Sequence, residues 1–175
     1  TKRVEEFQAY EKEYTGTMVL GATRPSVDKE TEIDKTFSIS GISEQDILTV
    51  ASTFIGKISQ VPPVFSAKKI DGKRAYESAR KGIEINIPAR QIEIMEFEIT
   101  RISLPEISFR IVCSKGTYIR SLVRDFGKKL NNGAYLSDLR RTRIGTFKVE
   151  DSLGIEEFEN KIKQYPTEND VLLFH

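Results

Sequence analysis

The stretch RQIEIMEFEITRISLPEISFRIVC at 90–113 constrains the fold more than any other part of this chain. Ile92 and Ile94, then Phe97 and Ile99, alternate with mostly charged residues, and the phase slips near Met95. After Pro105 the alternation resumes at Ile107, Phe109, Ile111 and Cys113. A period of two puts the apolar side chains of such a run on one face, and a proline between two runs marks a turn. The stretch predicts an antiparallel pair with one buried face. Cys113 is in phase with that face, which makes it a small core residue rather than a nucleophile.

A sheet with one apolar face needs a cover. Ser43 opens a helix as a capping box with Asp46, and Ile47, Val50, Ala51, Phe54, Ile55 and Ile58 follow at helical spacing. Thr117 is placed to cap a second helix whose stripe is Ile119, Leu122, Val123, Phe126 and Leu130, stopped by Asn131, Asn132 and Gly133. KEYTGTMVL (12–20) reads as a further strand ended by Gly21, residues 22–42 as irregular, and 134–149 as mostly extended. Helical spacing is already under way at the first residues, and an acidic helix is expected over 154–163. Pro62 and Pro63 hold the chain extended, Asp71-Gly72 marks a turn, and Arg74 to Lys81 has room for two helical turns. The 175 residues predict one α+β domain with a largely antiparallel sheet, long enough to bury roughly 70% of its unfolded surface.

One cysteine and one histidine, the final His175, exclude an internal disulfide, a multi-cysteine metal site and histidine-based triads. No apolar run approaches the roughly 20 residues that span a bilayer, no glycine-rich phosphate loop occurs, and a reducing cytoplasm is the expected setting. The net charge of +1 hides a segregation. Residues 65–90 carry seven Lys/Arg against three Asp/Glu, and residues 115–148 carry nine against two, while both ends are acidic. Solvated faces are the ordinary cause of such blocks. Interleaved with aromatics, they also fit a polyanionic partner, nucleic acid first.

VCSKGTYIR (112–120) joins the second strand to the second helix. Tyr118 and Arg120 fall at the helix start, where free N–H groups and the dipole favour an anion and an arginine adds a bidentate donor. A tyrosine packed on the sheet beside a surface arginine reads equally well from the motif alone.

Further motifs join these at set spacing. K-E-Y at 12–14 precedes L-G at 20–21; Q-V-P-P-V-F-S-A-K-K-I-D-G-K-R-A-Y fills 60–76, with A-R-K-G at 79–82. C-S-K-G-T-Y-I-R-S-L runs from 113 to 122, and G-A-Y-L-S-D-L-R-R from 133 to 141. In this order, over roughly residues 1–160, they resemble the TruB-type tRNA pseudouridine synthases, which isomerise the T-loop uridine (tRNA position 55). The resemblance implies a pseudouridine-synthase-like mixed, largely antiparallel sheet flanked by helices and loops, and no cofactor or metal. It implies that a flipped-out uridine is attacked by an aspartate and rejoined through C5. Tyr14 resembles the tyrosine that stacks on the base, Tyr118 the one near the C5 proton, and Arg120 the arginine that pairs with the aspartate. Leu139 resembles the apolar wall residue, and Arg140, Arg141 and Arg143, with Lys68, Arg74 and Lys115, are expected to hold the RNA.

The sequence departs from that family in two places. The family's aspartate lies in a G-T-L-D-P stretch before the K-x-Y strand; no such stretch is present, and the first aspartate is Asp28. The loop A-T-R-P-S-V-D-K-E differs from the usual T-D-T-x-D. The expectation is that the chain is the C-terminal two-thirds of one catalytic domain, 1–175. It would bind the tRNA T-loop as a monomer, with its nucleophile on a missing N-terminal segment or another chain. It would be inactive alone, with no appended C-terminal RNA-binding domain. The alternatives are a non-catalytic RNA-binding module and a protein-interaction domain.

Overall fold

The computed structural model describes residues 4–63, 69–70, 73–74 and 87–164. Helix α1 (Val4–Ala9) leads into strand β1 (Lys12–Leu20). Two short strands, β2 (Ala22–Thr23) and β3 (Lys35–Thr36), pair across the following loop. Helix α2 (Glu44–Ser52) precedes β4 (Gly56–Gln60), and the two-residue strands β5 (Lys69–Ile70) and β6 (Lys73–Arg74) form a small hairpin. Strands β7 (Arg90–Ser103) and β8 (Glu106–Cys113), helix α3 (Ile119–Lys129), β9 (Ala134–Ile144), β10 (Phe147–Lys148) and helix α4 (Ile155–Gln164) complete the order. Six strands form one sheet in the order β10-β9-β1-β8-β7-β4, with every described pairing antiparallel.

The long hairpin is as the alternation predicts. β7 and β8 pair from Ile94↔Cys113 to Ser103↔Glu106, and the register slips between Ile94 and Glu96, at Met95. A bulged residue faces no partner, so the apolar phase changes there and the core face continues. Helices α2 and α3 contribute to the core on that face, with Phe54, Phe97, Phe109 and Phe126 at its centre and ring centroids 5.8–6.2 Å apart. Gly16 is required on β1, because a Cβ there would lie 2.6 Å from the Asp138 carbonyl oxygen and 2.8 Å from Phe109 Cζ. The reverse face is polar: Arg110 binds Glu13, Glu96 and Glu98, and Thr142 donates to Glu13 at 2.8 Å.

Three expectations need correction. The capping box at Ser43 is present, but α2 ends at Ser52. Ile55 is exposed past the helix end and Ile58 lies on β4, because Gly56 (φ +102) turns the chain there. Thr117 does not cap α3: Tyr118 is the N-cap residue, and the Thr117 hydroxyl donates back to Ser114 O. Arg74 lies in strand β6 rather than opening a helix. The remainder of that expected helix, 75–81, and Lys68 lie outside the described residues.

Candidate active site

Strand β8 ends at Cys113, which is fully buried; burial pushes its thiol up to about 11, so it stays protonated and chemically quiet. The chain then turns. Ser114 exchanges two 2.9 Å hydrogen bonds with the backbone of Glu93, and Gly116 takes φ +79, which a side chain would disfavour. Tyr118 follows as N-cap with no side-chain cap of its own.

Gln60 holds this helix start. Its carboxamide, 1% exposed, accepts from Tyr118 N at 2.9 Å and donates to Tyr118 O at 3.1 Å. Next to it, Val61 O accepts from the Ser121 hydroxyl (2.8 Å) and from Arg124 Nη2 (3.0 Å). The Q-V-P-P stretch thus braces the helix end that carries Tyr118 and Arg120. Sequence reasoning singled out that stretch as a motif but assigned Gln60 nothing; a buried glutamine before two prolines, unable to leave its amide unpaired, was the available signal.

Arg120 donates through Nη1 to Asp28 Oδ2 at 2.9 Å and to Ser26 O at 3.2 Å. Asp28 comes from the A-T-R-P-S-V-D-K-E loop, where Ser26 is fully buried and Val27 O accepts from Leu136 N at 2.9 Å. A cleft of about 510 Å³ opens here, with Asp28, Arg120, Asp138 and Leu139 in its wall. Leu139 leaves 40% of its surface exposed, available to an apolar or aromatic ligand. No periodicity points to Asp28, because its approach to Arg120 crosses 92 residues of sequence.

Tyr14 stands on β1 opposite Arg141 on β9. Burial raises its phenol above the ordinary value, and the nearby Arg141 pulls the other way. Tyr14, Lys115 and Arg141 line a second cleft of about 740 Å³. Thr117 lines this second cleft and Arg120 the first, so the N-cap residue Tyr118 sits in sequence between residues of both. Arg140 and Arg143 take register positions opposite Thr15 and Glu13, on the reverse face from Tyr14. Arg143 is ion-paired with Glu11 at 2.6 Å and Glu13 at 3.7 Å. Arg74 is described in its backbone alone. Among the described residues, no three His, Cys, Asp or Glu side chains gather as metal ligands, and no helix is long and apolar enough to cross a membrane.

This arrangement has clear likenesses. Residues 1–119 match the model of the TruB family pseudouridylate synthase N-terminal domain, and residues 120–174 that of the tRNA pseudouridylate synthase B C-terminal domain. The two matches meet inside the first turn of α3. The sheet crosses that boundary, since β9 pairs with β1 along its length. The tRNA pseudouridine synthase B of Flavobacterium johnsoniae is 55% identical over 163 residues, covering 93% of this chain and 71% of that protein. That of Phocaeicola vulgatus is 51% identical over 168 residues, covering 96% and 72%. Among solved structures, the crystal structure of a Cbf5-Nop10-Gar1 complex superposes with a TM-score of 0.61 at 30% identity, over 85% of this chain. The matched part is 35% of that chain, so this protein spans about a third of the solved one.

Proposed function

This chain belongs to the TruB family of pseudouridylate synthases, and we propose that it supplies the base-stacking and RNA-holding part of an enzyme that isomerises the T-loop uridine of tRNA. The observation that carries the reading is Arg120, held on a braced helix start, ion-paired at 2.9 Å in a cleft whose apolar wall is Leu139. A base lifted out of a stack needs an aromatic face, an apolar wall and a fixed charge beside the reacting carbon. Tyr14 supplies the face and Leu139 the wall. Tyr118, at the start of the same helix, is the group for the C5 proton.

Arg120 orients a carboxylate nucleophile, and Asp28 holds the guanidinium in place from the other side of the cleft. The nucleophile itself belongs to a G-T-L-D-P-type segment of the same protein, which this sequence does not contain. On this reading the 175 residues are the C-terminal two-thirds of one catalytic domain, which acts as a monomer in the cytoplasm with tRNA as its partner. Lys68, Arg74, Lys115 and Arg141 supply positive charge toward the RNA backbone, whereas Arg140 and Arg143 lie on the reverse face of the sheet from Tyr14 and Arg143 is ion-paired with Glu11 and Glu13.

The test is tritium release from C5-labelled tRNA. The expected result is release by the full-length protein and none by the 175-residue chain. Release by the purified chain would make one of its own aspartates the nucleophile, and Asp28, against Arg120, is the one to substitute first.

A further inference from the structure

The wider cleft carries a charge pattern that the isomerisation chemistry does not use. Lys12 from β1, Arg90 from β7, Lys115 from the turn after β8 and Arg141 from β9 all line it, and among the described residues no carboxylate does. Elsewhere among the described residues Arg110, Arg120, Arg124 and Arg143 each hold an acid within 4.0 Å, while Arg24, Arg101 and Arg140 stand singly and are not gathered with other cations in one cleft. Among the described residues none of the four cleft cations is so paired. The Arg90 guanidinium reaches over the turn, where a Cβ on Gly116 would lie 3.4 Å from Nη1. Lys12 Nζ donates to the carbonyls of Gln8 and Tyr10, both at 2.6 Å, which fixes the ammonium and leaves a third donor for the cleft.

Gathering four cations from four segments without an acid costs repulsion. Lys12 shows it: its ammonium is pulled below the ordinary value first by burial, then by Arg141 and Lys115. That cost is offset when an anion arrives from outside. The Tyr14 ring lines the same cleft, so the anion lies next to a stacked base.

We propose that this cleft is a phosphodiester-binding subsite, in which Lys12, Arg90, Lys115 and Arg141 take the backbone phosphates flanking the nucleotide stacked on Tyr14. The proposal rests on the RNA-holding reading above and adds Lys12 and Arg90 to the substrate contacts. The subsite draws the target strand in by its backbone, so it is indifferent to base identity and sensitive to salt.

The experiment measures binding of a T-arm stem-loop RNA to the chain between 50 and 200 mM salt, for wild type, Arg90→Gln, Lys115→Gln and, as control, Arg101→Gln. Arg101 is exposed near the far end of β7. Each cleft variant is expected to lower the slope of log K against log salt by about 0.7–0.9, the loss of one phosphate contact, and the control to leave it unchanged. A methylphosphonate beside the target uridine is expected to weaken wild type several-fold and the Arg90→Gln, Lys115→Gln double variant hardly at all. Cleft variants with the control's slope, in a chain that still binds RNA, would overturn the subsite and leave the RNA-holding reading standing. A wild-type chain that binds no RNA even at 50 mM salt would overturn both.

Discussion

Tyr14 and Tyr118 are both half-buried tyrosines, and the proposed function gives them different work. Tyr14 lines the cationic cleft, and burial raises its phenol above the ordinary value, which favours the neutral form. In the full-length enzyme Tyr14→Ala is expected to cost roughly 1–3 kcal/mol of transition-state stabilisation, while Tyr14→Phe keeps the stack and most of the rate. Tyr118→Phe is expected to behave oppositely, because on the proposed reading its hydroxyl takes part in moving the C5 proton. Single-turnover rates separate the two, and equal losses for both Phe variants would refute the division. Cys113 makes a third prediction at this scale. Its thiol stays protonated up to about 11, against 9.0 for an ordinary one. A thiol reagent at pH 8 is expected to leave it unmodified until the chain unfolds. The unfolded thiol ionises first, so this residue's contribution is whole below pH 9 and lost as pH rises through 11.

Among the elements, α3 and β1 carry the tightest local requirements. The N-cap of α3 has no side-chain cap, and a separate segment braces it instead: Gln60 accepts from the Tyr118 N–H, and Val61 O accepts from the Ser121 hydroxyl and the Arg124 guanidinium. Gln60→Ala strips two hydrogen bonds from the Tyr118 backbone and leaves a small cavity. A stability loss of about 1–3 kcal/mol in denaturant melts is expected, together with a fall in kcat larger than the change in KM. On β1, Gly16→Ala drives a methyl against the Asp138 carbonyl and the Phe109 ring, both under 3.0 Å. Overpacking of that kind costs about 1–3 kcal/mol, and a melting temperature unchanged by the substitution would show that β9 shifts freely.

Over the whole molecule, the two faces of the sheet respond to different variables. The core face is sealed by α2 and α3 and is governed by packing. The reverse face is held by charge: Glu13 lies below the ordinary carboxylate range, chiefly through the Thr142 hydrogen bond and then through Arg143 and Arg110. The unfolded chain binds that proton more readily, so the stabilisation is complete above about pH 4.5 and drains as the pH falls below it. Chemical denaturation between pH 7 and 3 is expected to show this loss, and Glu13→Gln to flatten it. The sequence by itself determined the long strands β1, β7, β8 and β9, the phase slip at Met95 and the stripe of α3, because periodicity is a local property that one buried face imposes on its own residues. The short strands β2, β3, β4 and β6 carry too few residues to show it. It also determined the family, through ordered motifs with chemistry in them. Only the tertiary structure decided that Asp28 meets Arg120, that Gln60 grips Tyr118, that Arg143 is spent on Glu11, and that Lys12 and Arg90 join Lys115 and Arg141. The hydrogen bonds among those contacts span 58 to 132 residues of sequence and exist because the sheet sets distant strands side by side, so no local pattern encodes them.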